Sequence, residues 1–85
     1  MSSKVFVGRL NYNTSEESLK DFCEICGEVA SVKIIKDYET GRSKGFGFVE
    51  FSSSDSAQEA IKSLNNTDLD ERTIVVSEAK EKPRN

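Results

Sequence analysis

Lys44 to Phe51, K-G-F-G-F-V-E-F, gathers three aromatic rings, a cation and a carboxylate into one short run. Side chains alternate faces along a strand, so Lys44, Phe46, Phe48 and Glu50 share one side while Gly45, Gly47, Val49 and Phe51 share the other. The second side, Val49 and Phe51 among glycines, is an ordinary core face. The first sets two bare rings beside charged groups. That suits a flat π surface that also carries negative charge, as an unpaired nucleobase does on its phosphate backbone. Aromatic residues also enter strands simply because they fill a pleated surface, and a second layer can bury both faces. A strand buried twice would hardly hold Lys44 and Glu50 in line with the rings.

Elements on either side must position this strand. Lys4 to Leu10, K-V-F-V-G-R-L, alternates and carries β-branched valines, so it reads as a strand with Val5 and Val7 toward the core and Phe6 on the opposite face. Thr14-Ser15-Glu16-Glu17 has the pattern of a capping box, with Thr14 as the cap of a helix from about Ser15 to Cys26. Leu19, Phe22, Cys23 and Cys26 recur along it at helical spacing, and Gly27 supplies a left-handed stop. Val29 to Asp37 reads as a second strand, with Val32 and Ile34 inward and Lys33 and Ile35 outward. The polar run Asp37 to Ser43 joins it to the working strand as a long hairpin.

Ser52 to Ser56 offers several caps for a second helix whose stripe is Ala57, Ala60, Ile61 and Leu64, closed by Asn65-Asn66. Leu69 to Glu71 makes a turn. Arg72 to Ala79 reads as the last strand, with Ile74 and Val76 inward and Val75, Ser77 and Ala79 outward. Asn66 tolerates a left-handed backbone, whereas Glu71 does so poorly, which predicts an altered turn. The order β-α-β-β-α-β implies an α+β, ferredoxin-like fold: two helices on one face of a four-stranded antiparallel sheet, with the first and third strands central. Phe6, Phe46 and Phe48 then meet on the helix-free face.

With 85 residues, the chain makes one domain. Residues 1–3 read as an extension, 4–80 as the domain and 81–85 as a charged tail. Mean hydropathy is -0.54, and no long apolar run exists to span a membrane. The opening residues lack a signal peptide, so an intracellular, reducing location is expected, cytoplasmic or nuclear without distinction between them. The glycosylation patterns at Asn13 and Asn65 therefore carry no weight.

Net charge is -3, which by itself argues against a polyanionic partner. Distribution matters more than the sum. The helical segments hold Glu16, Glu17, Asp21, Glu24, Glu28, Asp55 and Glu59 against Lys20 and Lys62. Taking these from fifteen acids and twelve bases leaves eight acids and ten bases elsewhere, a mildly basic sheet side.

Cys23-Glu24-Ile25-Cys26 is a C-x-x-C, but it closes a helix, whereas a redox motif opens one. Helical residues three apart lie about 5–6 Å apart at Cβ, too far for a relaxed disulfide. Zinc wants four ligands, and the chain has two Cys and no His. Both thiols read as small core hydrophobes, and no metal or cofactor is expected.

The run at Lys44–Phe51 matches at every position the ribonucleoprotein-1 signature of the RNA recognition motif, and Lys4–Leu10 resembles its second signature, with Arg9 where Asn is common. The chain resembles this family from Lys4 to about Lys80, closest in look to glycine-rich and small single-motif RNA-binding proteins. The resemblance implies a non-catalytic module for single-stranded RNA, serving RNA processing, stability or translation. It implies that Phe6 and Phe48 each stack a base and that Phe46 packs against ribose. Lys44 and Arg42 would meet phosphates, Lys4, Arg9, Tyr12 and Lys80 would form rim contacts, and Lys33 and Ile35 would extend the platform. Glu50 would accept from a base amino group or discourage phosphate. Outside Lys44, a solvated surface charge is an equal reading of each cation. The expected state is a monomer, with single-stranded DNA as a substitute ligand in vitro.

Two other readings compete. Relatives of the fold that lack stacking aromatics hold a peptide with an acidic first helix and an Arg-x-Phe motif. Here the helix is acidic and Arg72-Thr73-Ile74 sits in that place, but Ile replaces Phe and the aromatic trio is intact. Ile25 leaves room for a protein contact on the helical face. An enzyme of the same fold class finds only Gly8-Arg9 in its favour, with no acid/base or nucleophile pair.

Overall fold

Val5 and Val7 alternate with Phe6, and Val49 and Phe51 with Phe48, so the two strands that carry them each own one apolar face and one aromatic face. In the computed structural model, which describes residues 3–79, these are β1 (Lys4–Gly8) and β3 (Ser43–Phe51), paired antiparallel in the centre of the sheet. β2 (Val29–Lys36) flanks β3, and the last long strand, β6 (Val75–Glu78), flanks β1, giving the order β2-β3-β1-β6. A separate two-stranded hairpin, β4 (Asp68–Leu69) and β5 (Arg72–Thr73), precedes β6.

Helices α1 (Glu16–Cys23) and α2 (Ser54–Leu64) cover one face of the sheet. Leu19 and Cys23 from α1, and Ala57, Ala60 and Leu64 from α2, meet Val5, Val7, Val49 and Phe51 in one buried cluster. Two alanines at the contact let α2 approach the sheet closely. Ser53 caps α2, its hydroxyl accepting from the Ser56 N–H at 3.2 Å. The expected fold class is thus the observed one, central strands included.

Several local expectations are corrected. The cap of α1 is Ser15, which accepts from the Ser18 N–H at 3.1 Å; the Thr14 hydroxyl donates instead to Asp70 Oδ2. The α-helix ends at Cys23, and Glu24–Cys26 tightens into a 3-10 turn. Gly27 is not in the left-handed helical region but at φ 153, ψ 178. Its missing side chain matters because a Cβ there would collide with Ser56 of α2. β1 stops at Gly8, where Arg9 turns to φ 60, and β2 stops at Lys36.

The expected last strand is interrupted at Ile74. Its N–H donates to the Thr67 carbonyl and its carbonyl accepts from Asn66, so its backbone pairs with the chain after α2. Glu71, expected to resist a left-handed conformation, adopts φ 68 beside Asp70 at φ 52. Positive φ at both central residues is what a two-residue hairpin loop demands. Finally, Val29 lies inward although Val32 and Ile34 also do. A register shift between Val29 and Ser31 opposite Phe51 and Glu50 leaves Ala30 as an extra residue and reverses the alternation.

Candidate nucleic-acid interface

The helix-free face is built row by row from the strand register. Lys33 of β2 lies opposite Phe48 of β3, Phe48 opposite Phe6 of β1, and Phe6 opposite Ser77 of β6. The neighbouring row places Phe46 opposite Gly8, and Gly8 opposite Val75. Gly8 leaves the site across from Phe46 bare, and the Phe6 ring leans into it: a Cβ built at Gly8 would sit 2.8 Å from Phe6 Cε2. The ring centroids of Phe6 and Phe46 are consequently 5.8 Å apart, tilted by 36°, and those of Phe6 and Phe48 are 5.7 Å apart at 64°. All three rings are half-buried, whereas Phe51 on the same strand is 1% exposed. The three aromatics therefore form one contiguous apolar patch with open faces.

Charge frames the patch unevenly. Lys33 and Lys44 are exposed beside it, and Lys4 pairs in register with the exposed Glu50 one row away. Lys44 and Phe46 line a hollow with Tyr12, Arg42 and Thr40 at the end of the sheet. Tyr12, 66% exposed, lies over the backbone of Gly45, where a Cβ would be 3.2 Å from its ring. Arg42 is held in a loop ordered by Asp37, whose carboxylate accepts from the Glu39 N–H at 2.7 Å and whose N–H donates to the Arg42 carbonyl.

Of the remaining candidates, Arg9 is exposed beyond the end of β1, and Ile35 is half-buried on β2 opposite an irregular stretch of β3. Lys80 lies outside the described residues. Ser77 borders the patch, and Asn13 and Lys36 line an adjoining cleft that shares Tyr12, Arg42 and Ser43 with the hollow; none of the three was singled out from the sequence as a site residue. Ser77 was legible as an outward strand residue, but Asn13 and Lys36 join the site only through the packing of two distant loops.

Among the described residues no cluster of three or more metal-ligating side chains occurs, and no helix is long and apolar enough to cross a membrane. Cys23 is buried, and burial, with Cys26 nearby, pushes its thiol up to about 12; Cys26 is raised by burial and by Glu59. Neither thiol is poised as a nucleophile.

Comparison with known proteins agrees with this architecture. The family profile described as the RNA recognition motif matches residues 5–75. The chain belongs to the RNA recognition motif family. Glycine-rich RNA-binding protein 4, mitochondrial, of Arabidopsis thaliana is 50% identical over 82 residues, covering 96% of this chain and 60% of that protein. The 29 kDa ribonucleoprotein B, chloroplastic, of Nicotiana sylvestris is 46% identical over 83 residues, 98% of this chain and 28% of its own. In eight of the curated relatives it matches, this RNA recognition motif spans between 26% and 60% of the relative's length. Among solved structures, the RNA-binding protein PG1 superposes with a TM-score of 0.89 at 42% identity, covering 98% of this chain and all of that one. The Rna15 motif with bound RNA (GU) superposes with a TM-score of 0.85 at 33% identity, over 95% of this chain and 86% of that one.

Proposed function

We propose that this RNA recognition motif binds single-stranded RNA on its open sheet face and acts there without a catalytic step. The observation that carries the reading is the contiguous Phe6–Phe46–Phe48 patch, flanked by Lys33 and Lys44 on a face no helix covers. Phe6 and Phe48 each stack a base and Phe46 packs against ribose. Lys44 and Arg42 meet phosphates, and Lys4, Arg9, Tyr12, Lys33, Ile35 and Lys80 complete the rim. Relatives with names such as glycine-rich RNA-binding protein, and the Rna15 motif solved with RNA, support this assignment. We place the work in RNA processing, stability or translation, inside the cell. Relatives named chloroplastic or mitochondrial add the organelles to the cytoplasm and nucleus as places for it. The module acts as a monomer and accepts single-stranded DNA in vitro.

The peptide-binding alternative has one observation in its favour, Ile25 at 75% exposure on the acidic helical side. Against it, Ile74, which stands where such modules place an aromatic, is fully buried and offers nothing to a ligand.

Titration with a single strand and with a duplex of the same sequence tests the proposal. Rings read by stacking need unpaired bases, so the single strand binds and the duplex does not. Neutralising Z phosphates on a single strand gives a log-log salt slope of roughly -0.7Z, and about two to four cations near the rings set a shallow slope. Preference for duplex, or a slope several times steeper, contradicts a stacking-led interface.

A further inference from the structure

An open sheet has two edges, and each turns backbone groups outward that another chain can pair with. Here the edges are β6 and β2. The β6 edge is closed by the segment that follows α2: the Ile74 N–H donates to the Thr67 carbonyl, the Asn66 N–H to the Ile74 carbonyl, and the Val76 N–H to Asn65 Oδ1 at 3.0 Å. A strand could add there only by displacing that segment.

Among the described residues, the β2 edge is closed at one point. The Ile34 N–H points away from β3 and donates to Glu16 Oε2, at the start of α1, at 3.0 Å. Pairing with β3 is regular from Ser31↔Glu50 to Ile34↔Gly47, and along a regular antiparallel ladder every second residue turns its N–H and carbonyl outward. Val32 therefore faces the same edge as Ile34, and its N–H has no partner among the described residues. Beside it a groove of about 490 Å³ separates Ala30, Ser31 and Val32 from Glu16, Glu17 and Lys20 of α1.

This stretch is complementary to itself. Turned about a two-fold axis through Lys33, Val32 of one copy meets Ile34 of another, and each N–H finds the other's carbonyl. Residues opposite one another share a face, so the two four-stranded sheets would run on as one with both aromatic patches on the same side. Lys33 would then face Lys33 of the second copy, which disfavours the pairing modestly. The stronger obstacle is that the Ile34 N–H is already taken.

We propose that Glu16 guards this edge: by holding the Ile34 N–H, its carboxylate keeps β2 from pairing with β2 of a second copy and limits the open face to one module. Without the carboxylate, Val32 and Ile34 offer a complete set of donors and acceptors to the same strand of a neighbour.

The test compares the parent with Glu16→Ala, Glu16→Gln and Glu17→Ala by sedimentation from about 10 μM to about 1 mM, with amide exchange read at Val32 and Ile34. Glu16 is exposed and alanine is a strong helix former, so the fold is kept. In the parent, the Ile34 amide should exchange more slowly than the Val32 amide. Glu16→Ala should self-associate at least about tenfold more tightly than the parent, with both amides slowing as concentration rises. Glu16→Gln, whose amide oxygen still accepts from Ile34, and Glu17→Ala, which loses a charge without freeing the edge, should stay monomeric. A Glu16→Ala protein that remains monomeric throughout, or that unfolds, would overturn the proposal. So would equal exchange of the two amides in the parent, protection that appears away from Val32 and Ile34, or equal association of Glu16→Gln or Glu17→Ala, which marks lost charge as the cause.

Discussion

Thr14 and Asp70, 56 residues apart, are joined by a 2.7 Å hydrogen bond from the Thr14 hydroxyl to Asp70 Oδ2. With the Asn11 amide on the Asp70 carbonyl, it ties the tip of the β4–β5 hairpin to the loop that carries Tyr12. The tie holds a turn whose residue Glu71 sits in the left-handed region, at a cost of about 1–2 kcal/mol. Glu71→Gly should therefore raise stability by about 1 kcal/mol, and Thr14→Val should lower it by about 1 kcal/mol. Urea midpoints measure both, and a destabilised Glu71→Gly protein would contradict the turn.

Two glycines on the sheet should fail differently. A Cβ at Gly47 would collide with the Lys33 carbonyl oxygen and lie 3.0 Å from Ile34 Cα. These are backbone atoms of the paired strand, so Gly47→Ala should cost about 1–3 kcal/mol of stability. At Gly8 the obstacle is the end of the Phe6 ring, which can turn away. Gly8→Ala should leave the denaturant midpoint nearly unchanged and weaken RNA binding by part of the about 1–3 kcal/mol that one stacked base supplies.

Burial holds the Cys23 thiol protonated up to about 12, against an ordinary value of 9.0. The unfolded chain releases this proton at lower pH than the folded one, so above pH 9.0 the unfolded state binds fewer protons and stability falls as pH rises. The contribution is complete below pH 9.0 and is lost progressively toward 12. Denaturant midpoints across this window should decline less steeply in Cys23→Ala than in the parent. Equal slopes would mean that the thiol is not buried in solution.

Much of this was legible because it is periodic. The alternation Phe46, Phe48 against Val49, Phe51 assigned both faces of β3, and Val5, Val7 against Phe6 did so for β1. Those four core residues are buried as the pattern requires. What escaped depended on partners far along the chain. Thr14 looked like a cap, yet Asp70 takes its hydroxyl, and the cap passes to Ser15. The bulge at Ala30 turns Val29 inward against the local period. The cleft escaped for the same reason, since residues 11–16 and 41–43 meet only when the sheet forms.

The face assignment is tested most directly by truncating two phenylalanines of β3 and one of β1, with denaturant midpoints and RNA titrations measured on each. Phe48→Ala should lose about 1–3 kcal/mol of RNA binding with little change in stability, and Phe6→Ala should behave alike, since the two rings are cross-strand partners. Phe51→Ala, buried against both helices' core, should instead lose about 3–5 kcal/mol of fold stability. A Phe48→Ala protein that unfolds while Phe51→Ala only binds more weakly would reverse the two faces. If neither Phe6→Ala nor Phe48→Ala alters the binding of any RNA, the aromatic patch is not the interface.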